Sequence, residues 1–422
     1  MTEDIFDVVV IGGGPSGIMA AGRAGELGAN VLLLEKNNSL GKKLLLTGKG
    51  RGNLSKAEFD LKELAKKYGR EGDFFLSALS VLGPKETMEF FEKRGLRLKI
   101  ERGKRIFPKS NSAADILRVL LNYLSKGKVE IMTEVQVKKL VAKGKRIEKV
   151  VLKDGQEIFA RSFIICTGGR VFPGTGSTGE GYVWLEKLGH TIVKPRPALV
   201  PLKIKESWPR SLQGLSLKNV ELTVWQNNKK KDSRFGEMLF THFGISGPIV
   251  LDLSGKIGEL LEKGRVRLVL DLKPALDFQI LDKRLQSDFL KYSSKLFKNS
   301  LDDLLPQKLI PLIIKLSGID PGKKTNGIKR EERLKLLKSL KDLEMEVLGT
   351  LGFGNAIVTL GGVSLREIEG KTMKSKIIEN LYLAGEVINL HGPTGGYNLQ
   401  QGWSTGFLAG QSAGEIQIKN RP

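Results

Sequence analysis

Gly12-Gly13-Gly14-Pro15-Ser16-Gly17 carries the spacing G-x-G-x-x-G, and Glu35 follows eighteen residues after Gly17. Residues of these types at these distances bind a dinucleotide when a strand precedes them and a helix follows. Gly12 permits the tight turn, Gly14 lets the backbone approach a pyrophosphate, and Gly17 lets the helix pack on the strand. The helix N-terminus at Pro15 and Ser16 then faces phosphate charge. The Glu35 carboxylate accepts the hydroxyls of a ribose. A glycine-rich turn with no ligand is the plainer reading, and the flanking pattern decides against it. Asp7–Ile11 (DVVVI) is a buried-type strand, Ser16–Leu27 has small residues at helical spacing, and Val31–Leu34 is a second strand.

The far end of the chain holds a second constellation. Leu381–Glu386 (LYLAGE) reads as a strand ending in Gly385-Glu386, where an acid accepts from the ribityl hydroxyls of a flavin. Gly395 and Gly396 then lead through Tyr397, Asn398 and Leu399 into a predicted helix. Its free N–H groups suit the flavin edge that becomes negative on reduction. A strand and helix that merely cap a sheet are the alternative. FAD is favoured because the two ends describe the two halves of one cofactor. Gly174, Gly176 and Gly179 repeat the G-x-G-x-x-G spacing, but the strand Phe163–Cys166 ends eight residues before Gly174 and no second acid-terminated unit follows. That segment reads as a flexible loop beside the flavin, with room for a nicotinamide donor to bind transiently.

The elements that must position these residues follow from the glycines. Residues 1–52 hold 11 of the 50 glycines, 168–189 hold 7 and 352–414 hold 13, while 190–351 is glycine-poor. Such clusters mark strand–loop junctions where backbone meets ligand. The pattern predicts one discontinuous ligand-binding domain with an inserted middle. Asp115–Leu124 reads as an amphipathic helix. Val129–Val137, Arg146–Leu152 and Glu157–Ala160 read as strands, with Asp154-Gly155 as a hairpin turn. In the middle, 199–204, 219–226 and 265–271 read as strands, and 277–315 and 329–342 as helices broken at Pro306 and Pro311. Strand returns at 356–360 and 381–384. The ends therefore read as α/β, and the middle as strands followed by helices.

Composition narrows the chemistry. With 422 residues, 27% charged and 40% hydrophobic, the chain has ample core and is not of a disordered or fibrous class. One cysteine, Cys166, excludes a disulfide framework and a cysteine-rich metal site. The three histidines, His190, His242 and His391, form no HExxH or HxH pair, so no metal is expected. Met1–Asp4 lacks the basic and apolar regions of a secretory signal, and no stretch is apolar enough to span a membrane. A reducing, cytoplasmic setting is expected.

Lys and Arg total 69 against 46 Asp and Glu, a net charge of +23 that favours an anionic partner. The basic residues gather near 93–109, 229–234 and 323–341, with eight in the first segment and eight in the last. Together they could line one groove for RNA phosphate, with Phe107 and Trp225 placed to stack bases. A solvated surface is the alternative reading.

Several blocks of sequence resemble the BaiN/YhiN-like group of NAD(P)/FAD-dependent flavoproteins, which also includes aminoacetone-oxidase-like members. They are Lys43–Asn53 (KLLLTGKGRGN), Phe107–Ser110 with Ala113-Ala114, Thr167–Gly181, Gly189-His190, Pro197–Leu202, Gly236–Leu251, Val358–Val363, Thr372–Lys376 and Leu383–Gln400. They run in order along nearly the whole chain. Three positions depart from the group's pattern: its usual Cys is Gly52, its Ala before Thr167 is Cys166, and its Asp after Gly-Glu is Asn389. The resemblance implies an α/β fold: a discontinuous Rossmann-type FAD-binding domain over 1–194 and 354–422, an inserted β-barrel domain over 195–272 and 343–353, and a helical subdomain over 273–342. It implies FAD contacts at Gly12, Gly14, Ser16, Gly17, Glu35, Lys36, Lys43, Thr47, Gly48, Arg51, Val135, Thr167, Gly168, Gly385, Glu386, Gly396, Tyr397, Asn398 and Leu399.

It also implies hydride transfer from NAD(P)H through FAD to an activated C=C bond, including a uridine of large-subunit ribosomal RNA. Small-amine oxidation and steroid-type ene reduction are the alternatives within the group. Saturating a uracil ring takes hydride at one carbon and a proton at the other. Tyr397 and His242 are the candidate proton donors, and Arg51 is a candidate to steady flavin or substrate phosphate. His391 should lie near the flavin, His190 reads as structural, and Cys166, at the end of an apolar strand, reads as buried and inert.

Overall fold

The computed structural model describes residues 5–419, which divide into two compact units, 5–197 with 357–419, and Ala198–Ala356. Met1–Asp4, read above for a targeting signal, lie outside the described residues. No helix among the described residues is long and apolar enough to cross a membrane.

In the first unit the apolar runs become the centre of a parallel sheet. Phe6–Ile11 lies between Val31–Leu34 and Glu157–Ile165, parallel to both, with Val8 opposite Val31 and Ser162. Glu130–Met132 extends one side in parallel, and Leu381–Leu383 pairs in parallel with the end of Glu157–Ile165. Val8, Val9, Val10 and Val31 are fully buried, as strands covered on both faces must be. Arg146–Leu152 and Val137–Lys143 continue the sheet antiparallel. A small antiparallel sheet of Ser55–Lys56, Arg105–Pro108 and Leu98–Glu101 stands apart.

Two helices cover the nucleotide side, Pro15–Glu26 and the long closing helix Tyr397–Lys419. Their axes approach closely because Gly406, Gly410 and Gly414 recur every fourth residue. A Cβ at Gly406 would stand 2.3 Å from the carbonyl oxygen of Ser16, and one at Gly410 2.1 Å from that of Ala20. Gly414 faces Ala24 in the same row.

The second unit is a closed antiparallel barrel of six strands, in the order Leu202–Ile204, Gly244–Ser246, Lys229–Thr241, Ser216–Gln226, Val266–Asp271 and Leu343–Thr350. Alternate residues such as Leu222, Val224, Leu268 and Leu270 fill it. Asn227 and Asn228 take φ of 52° and 57° in the two-residue turn of its longest hairpin, as a type I′ turn requires. The helices Pro248–Leu261, Phe278–Lys291, Ile310–Ser317 and Arg330–Lys341 share one hydrophobic cluster with the barrel.

Several expected elements are shorter or differently joined. Val129–Val137 holds only Glu130–Met132 as strand before the chain turns at Glu134, whose φ is 61°. The two strands expected at Glu157–Ala160 and Phe163–Cys166 are one, Glu157–Ile165. The 277–315 helix stops at Lys291, and Pro311 stands in the first turn of Ile310–Ser317, starting that helix where a break was expected.

Candidate functional site

The first strand ends at Ile11 and the chain turns through Gly12, whose φ of 109° suits only glycine. A Cβ there would lie 2.5 Å from the Cys166 carbonyl oxygen. Gly14 meets no atom within 4 Å, so its bare α-carbon faces open space. A Cβ on Gly17 would collide with the Gly12 carbonyl oxygen at 1.8 Å, so glycine there sets the helix against the turn. Gly14 caps Pro15–Glu26 without a side-chain hydrogen bond, which leaves N–H groups of the first turn directed outward.

Glu35 is buried at the end of the second strand. Its Oε2 accepts from the Gly13 N–H (2.7 Å), and its Oε1 from the N–H (2.7 Å) and Nδ2 (2.6 Å) of Asn37. Asn37 Nδ2 also reaches the Thr175 carbonyl at 3.0 Å. Lys36 Nζ donates to Thr178 Oγ1 (2.8 Å) and pairs with Glu180 (2.7 Å). The second glycine motif is therefore a loop tied to the strand end, and a short helix, Glu180–Lys187, follows it.

The far constellation packs onto the same turn. Gly385 takes φ of 77°, and a Cβ there would stand 2.2 Å from Ser16 Oγ. Glu386 pairs with Lys43 at 2.5 Å and accepts from the Thr359 N–H at 2.6 Å. Asn398 fastens the preceding loop through the Gly392 N–H and carbonyl, each at 2.9 Å.

These parts enclose one cavity of about 500 Å³, within the range of small-molecule sites. Gly12, Gly14, Pro15, Ser16, Glu35 and Lys36 line it at the glycine turn. Lys43, Thr47, Gly48 and Val135 line it further on, and Thr167, Gly168, Gly385, Glu386, Asn398 and Leu399 complete the wall. Sequence reasoning passed over Gly13, Asn37, Lys49, Phe172, Thr178, Ile357, Gln401 and Gly402, which also line it. Gln401 and Gly402 lie one helical turn beyond Asn398, so the 3.6-residue period would have found them. The loop contributions have no such signal.

Other singled-out residues do not line the cavity. Gly17 sits beneath the turn. Gly396 packs on Ser55, where a Cβ would lie 2.4 Å from the carbonyl oxygen. Arg51 turns to Glu101 (2.5 Å) and Asn111 (2.7 Å) and stacks on Phe107, its guanidinium 4.2 Å from the ring centre. Tyr397 is buried, with its ring edge-on to Tyr68 and Lys56 Nζ 5.6 Å from its centre. His242 is exposed in a turn of the second unit, its ring 4.8 Å from that of Phe243.

Burial sets the titration of several groups. It pushes the Cys166 thiol up to about 12, against a hydrogen bond with Ser16, so the thiol stays protonated. It lowers His391 below the ordinary histidine value, opposed by Glu386. His190 is fully enclosed, with Nδ1 3.2 Å from Glu367 and Nε2 3.0 Å from Ser375 Oγ. Gly52, where the resembling group carries Cys, takes φ of 74°, and a Cβ there would lie 2.5 Å from Ile116 Cδ1. A cysteine would be strained in this backbone.

Comparison with known proteins places this architecture. The family described as HI0933-like protein Rossmann domain matches residues 6–412. The chain is 35% identical over 411 residues to the 3-dehydro-bile acid delta(4,6)-reductase of Clostridium scindens, covering 96% of this chain and 98% of that one. It is 29% identical over 409 residues to the ribosomal RNA dihydrouridine synthase of Escherichia coli, covering 96% and 97%. Among solved structures, a flavocytochrome c3 fumarate reductase in its open conformation superposes with a TM-score of 0.53 at 18% identity, covering 99% of this chain and 79% of that one, a likeness of fold. The chain belongs to the HI0933-like family of Rossmann-fold flavoprotein oxidoreductases.

Proposed function

We propose that this protein holds FAD in the cavity of its first unit, takes hydride from NAD(P)H, and reduces a C=C bond conjugated to a carbonyl, that of a uridine in large-subunit ribosomal RNA. The observation that carries the reading is a single cavity walled by the G-x-G-x-x-G turn and Glu35, and also by Gly385-Glu386 and the head of the closing helix. The residues fit the cofactor. Gly14 leaves open space where a pyrophosphate must approach, and the buried Thr167 hydroxyl on the wall has no hydrogen-bond partner among the described residues.

Within that reading the outward N–H groups of the first helical turn bind phosphate, and Glu35 accepts from ribose. Lys43 holds Glu386 in place for a polyol hydroxyl. When bound, the reduced flavin would supply a hydride, two electrons with one proton. This chain's residues must add the proton at the neighbouring carbon, a task proposed for Tyr397, next in sequence to the wall residues Asn398 and Leu399, with Arg51 steadying substrate phosphate. The C. scindens and E. coli relatives are named for reductions that share this chemistry, saturation of a carbon–carbon double bond. A small enone is the second reading, favoured by the 35% identity to the bile acid enzyme.

The test is anaerobic. The protein is bleached with limiting NAD(P)H, and unmodified large-subunit ribosomal RNA or a steroid enone is then added. Return of the oxidised spectrum with RNA supports the first reading, and return with the enone alone supports the second. No return with either, and fast return on admitting air, would count against both and favour an oxidase.

A further inference from the structure

The basic segments differ in how their charges are used. In the segment near 323–341, Lys323 pairs with Glu332 (2.8 Å), Arg333 with Asp282 (2.7 Å) and Lys341 with Asp271 (2.6 Å). In the barrel hairpin, Lys230 stands 3.7 Å from Glu221 and Arg234 2.5 Å from Asp232. Three of the eight cations in 323–341 are therefore partners of nearby acids, as are Lys93, Arg94, Lys99 and Lys104 in 93–109.

Around the small sheet of the first unit, Glu101 takes both Arg51 (2.5 Å) and Lys99 (3.1 Å). Lys56, Lys67 and Arg105 make no ion pair among the described residues, while Glu58 is occupied by Lys104 at 2.9 Å. Lys56 is held by the Gly103 carbonyl (2.6 Å) over the Tyr397 ring. Its ammonium titrates below the ordinary lysine value, through burial first and then repulsion by Lys104, Arg105 and Lys67, which Glu58 only partly offsets. Lys56 stands opposite Arg105 across the small sheet, Lys104 immediately precedes Arg105, and Lys67 ends the helix Leu61–Lys66; all three repel the Lys56 ammonium. An anion bound there would relieve that repulsion.

The same sheet touches the cavity wall from two sides. Ser55 abuts Gly396 and hydrogen-bonds Gln400 at 2.5 Å, on the helix whose Asn398 and Leu399 line the cavity. Gly48, also on the wall, lies against the edge of Phe107, 3.2 Å from where its Cβ would be. Arg105 lies over that ring, 5.8 Å from its centre.

We propose that Lys56, Lys67, Lys104 and Arg105 form the docking surface for successive phosphates of a single-stranded nucleic acid whose target base enters the adjoining cavity. This rests on the RNA reading above. A base must leave its stack to reach an enclosed site, and its flanking phosphates then lie at the rim. A metabolite with one carboxylate would engage only part of a four-cation cluster, whereas a phosphodiester chain presents a charge at each nucleotide.

The test measures binding of a single-stranded oligouridylate to the FAD-loaded protein as salt is varied. The variant Lys67→Gln/Arg105→Gln removes two exposed cations, and Lys329→Gln/Arg330→Gln removes the same charge from the second unit. Each phosphate contact contributes a slope of about 0.7 in log K against log salt for single strands. The first variant is expected to flatten the slope by about 1.4 and weaken binding at least tenfold, with FAD retention and circular dichroism unchanged. The second is expected to leave slope and affinity near wild type. Equal losses in both variants would mean that only net charge acts, and would overturn the proposal. So would an unchanged slope in the first variant, or capture by phosphatidylglycerol vesicles in place of RNA. RNA binding lost in the first variant, with no reoxidation of wild-type flavin by RNA, would sink the substrate reading and leave the docking surface standing.

Discussion

Glu35 and Glu386 illustrate how a residue type read from sequence becomes a site. Both were singled out as acceptors at strand ends, and both are held by donors from other segments, Glu35 by Gly13 and Asn37, Glu386 by Lys43 and Thr359. Fixing a carboxylate in advance lowers the ordering cost when a hydroxyl arrives. Tyr397 is set differently, its ring packed between Tyr68 and Lys56 and its carbonyl accepting from the Tyr68 hydroxyl at 2.8 Å. If Tyr397 delivers the proton, Tyr397→Phe lowers substrate turnover by about 10²- to 10⁴-fold and leaves flavin reduction by NAD(P)H unchanged. Wild-type turnover in Tyr397→Phe would remove it as the donor.

His190 gives a pH prediction. Its burial lowers its pKa below the free value of 6.5, against the Glu367 carboxylate that favours the charged form. The unfolded chain therefore binds the proton first as pH falls. The contribution to stability is present above pH 6.5 and is lost as pH drops through that value towards the lower folded pKa. Urea midpoints at about pH 7.5 and 5.5 should differ more for wild type than for His190→Gln. Equal differences in the two proteins would show that His190 does not carry this linkage.

At the scale of elements, the closing helix is the piece that joins the two ends of the chain. Its glycine row lets it lie against the backbone of Pro15–Glu26, and Gln400, fully buried, bonds Ser55, the Leu82 carbonyl, Thr87 and Ser404. Gly410→Ala would place a methyl 2.1 Å from the Ala20 carbonyl oxygen, against rigid backbone. The helices must then part, at a cost of about 1–3 kcal/mol. Because the displaced helix carries the phosphate-facing turn, FAD retention should fall along with the melting temperature. A variant that melts like wild type and keeps its yellow colour would mean that the row is not a constraint.

Element types along apolar runs were legible because period and glycine punctuation reflect burial directly. Val8–Val10 reads as strand for the reason that it is buried on both faces. Joins were less legible. Arg161 and Ser162 look like a break, yet the strand Glu157–Ile165 runs through them, pairing antiparallel to Arg146–Leu152 at its start and parallel to Phe6–Ile11 further along. That change of partner is a tertiary fact with no local signature.

For the whole molecule, every residue lining the cavity belongs to the first unit, although the chain reaches it in two passes. The strands Ile192–Ala198 and Val358–Val363, where the chain leaves that unit and returns, pair in one two-stranded sheet. Replacing Ala198–Ala356 by a flexible glycine-serine linker should therefore leave a folded first unit that binds FAD stoichiometrically. A colourless, unfolded product would show that the second unit is needed for the cofactor fold. The net charge of +23 belongs to this scale as well, and it predicts salt-sensitive attraction to polyanions without saying where they bind.

The sequence by itself determined the dinucleotide turn, the acid that follows it, the Gly-Glu and helix at the far end, and the α/β alternation around a β insert. These are legible because turn conformation, helix start and burial each constrain residue type within a few positions. Only the tertiary structure decided that Lys43 meets Glu386, that Lys36 and Asn37 tie the 172–180 loop to the second strand, and which cations of each basic segment find an acid. Pairing between residues hundreds of positions apart depends on how elements pack, and side chains of one type serve as well for an ion pair as for a ligand.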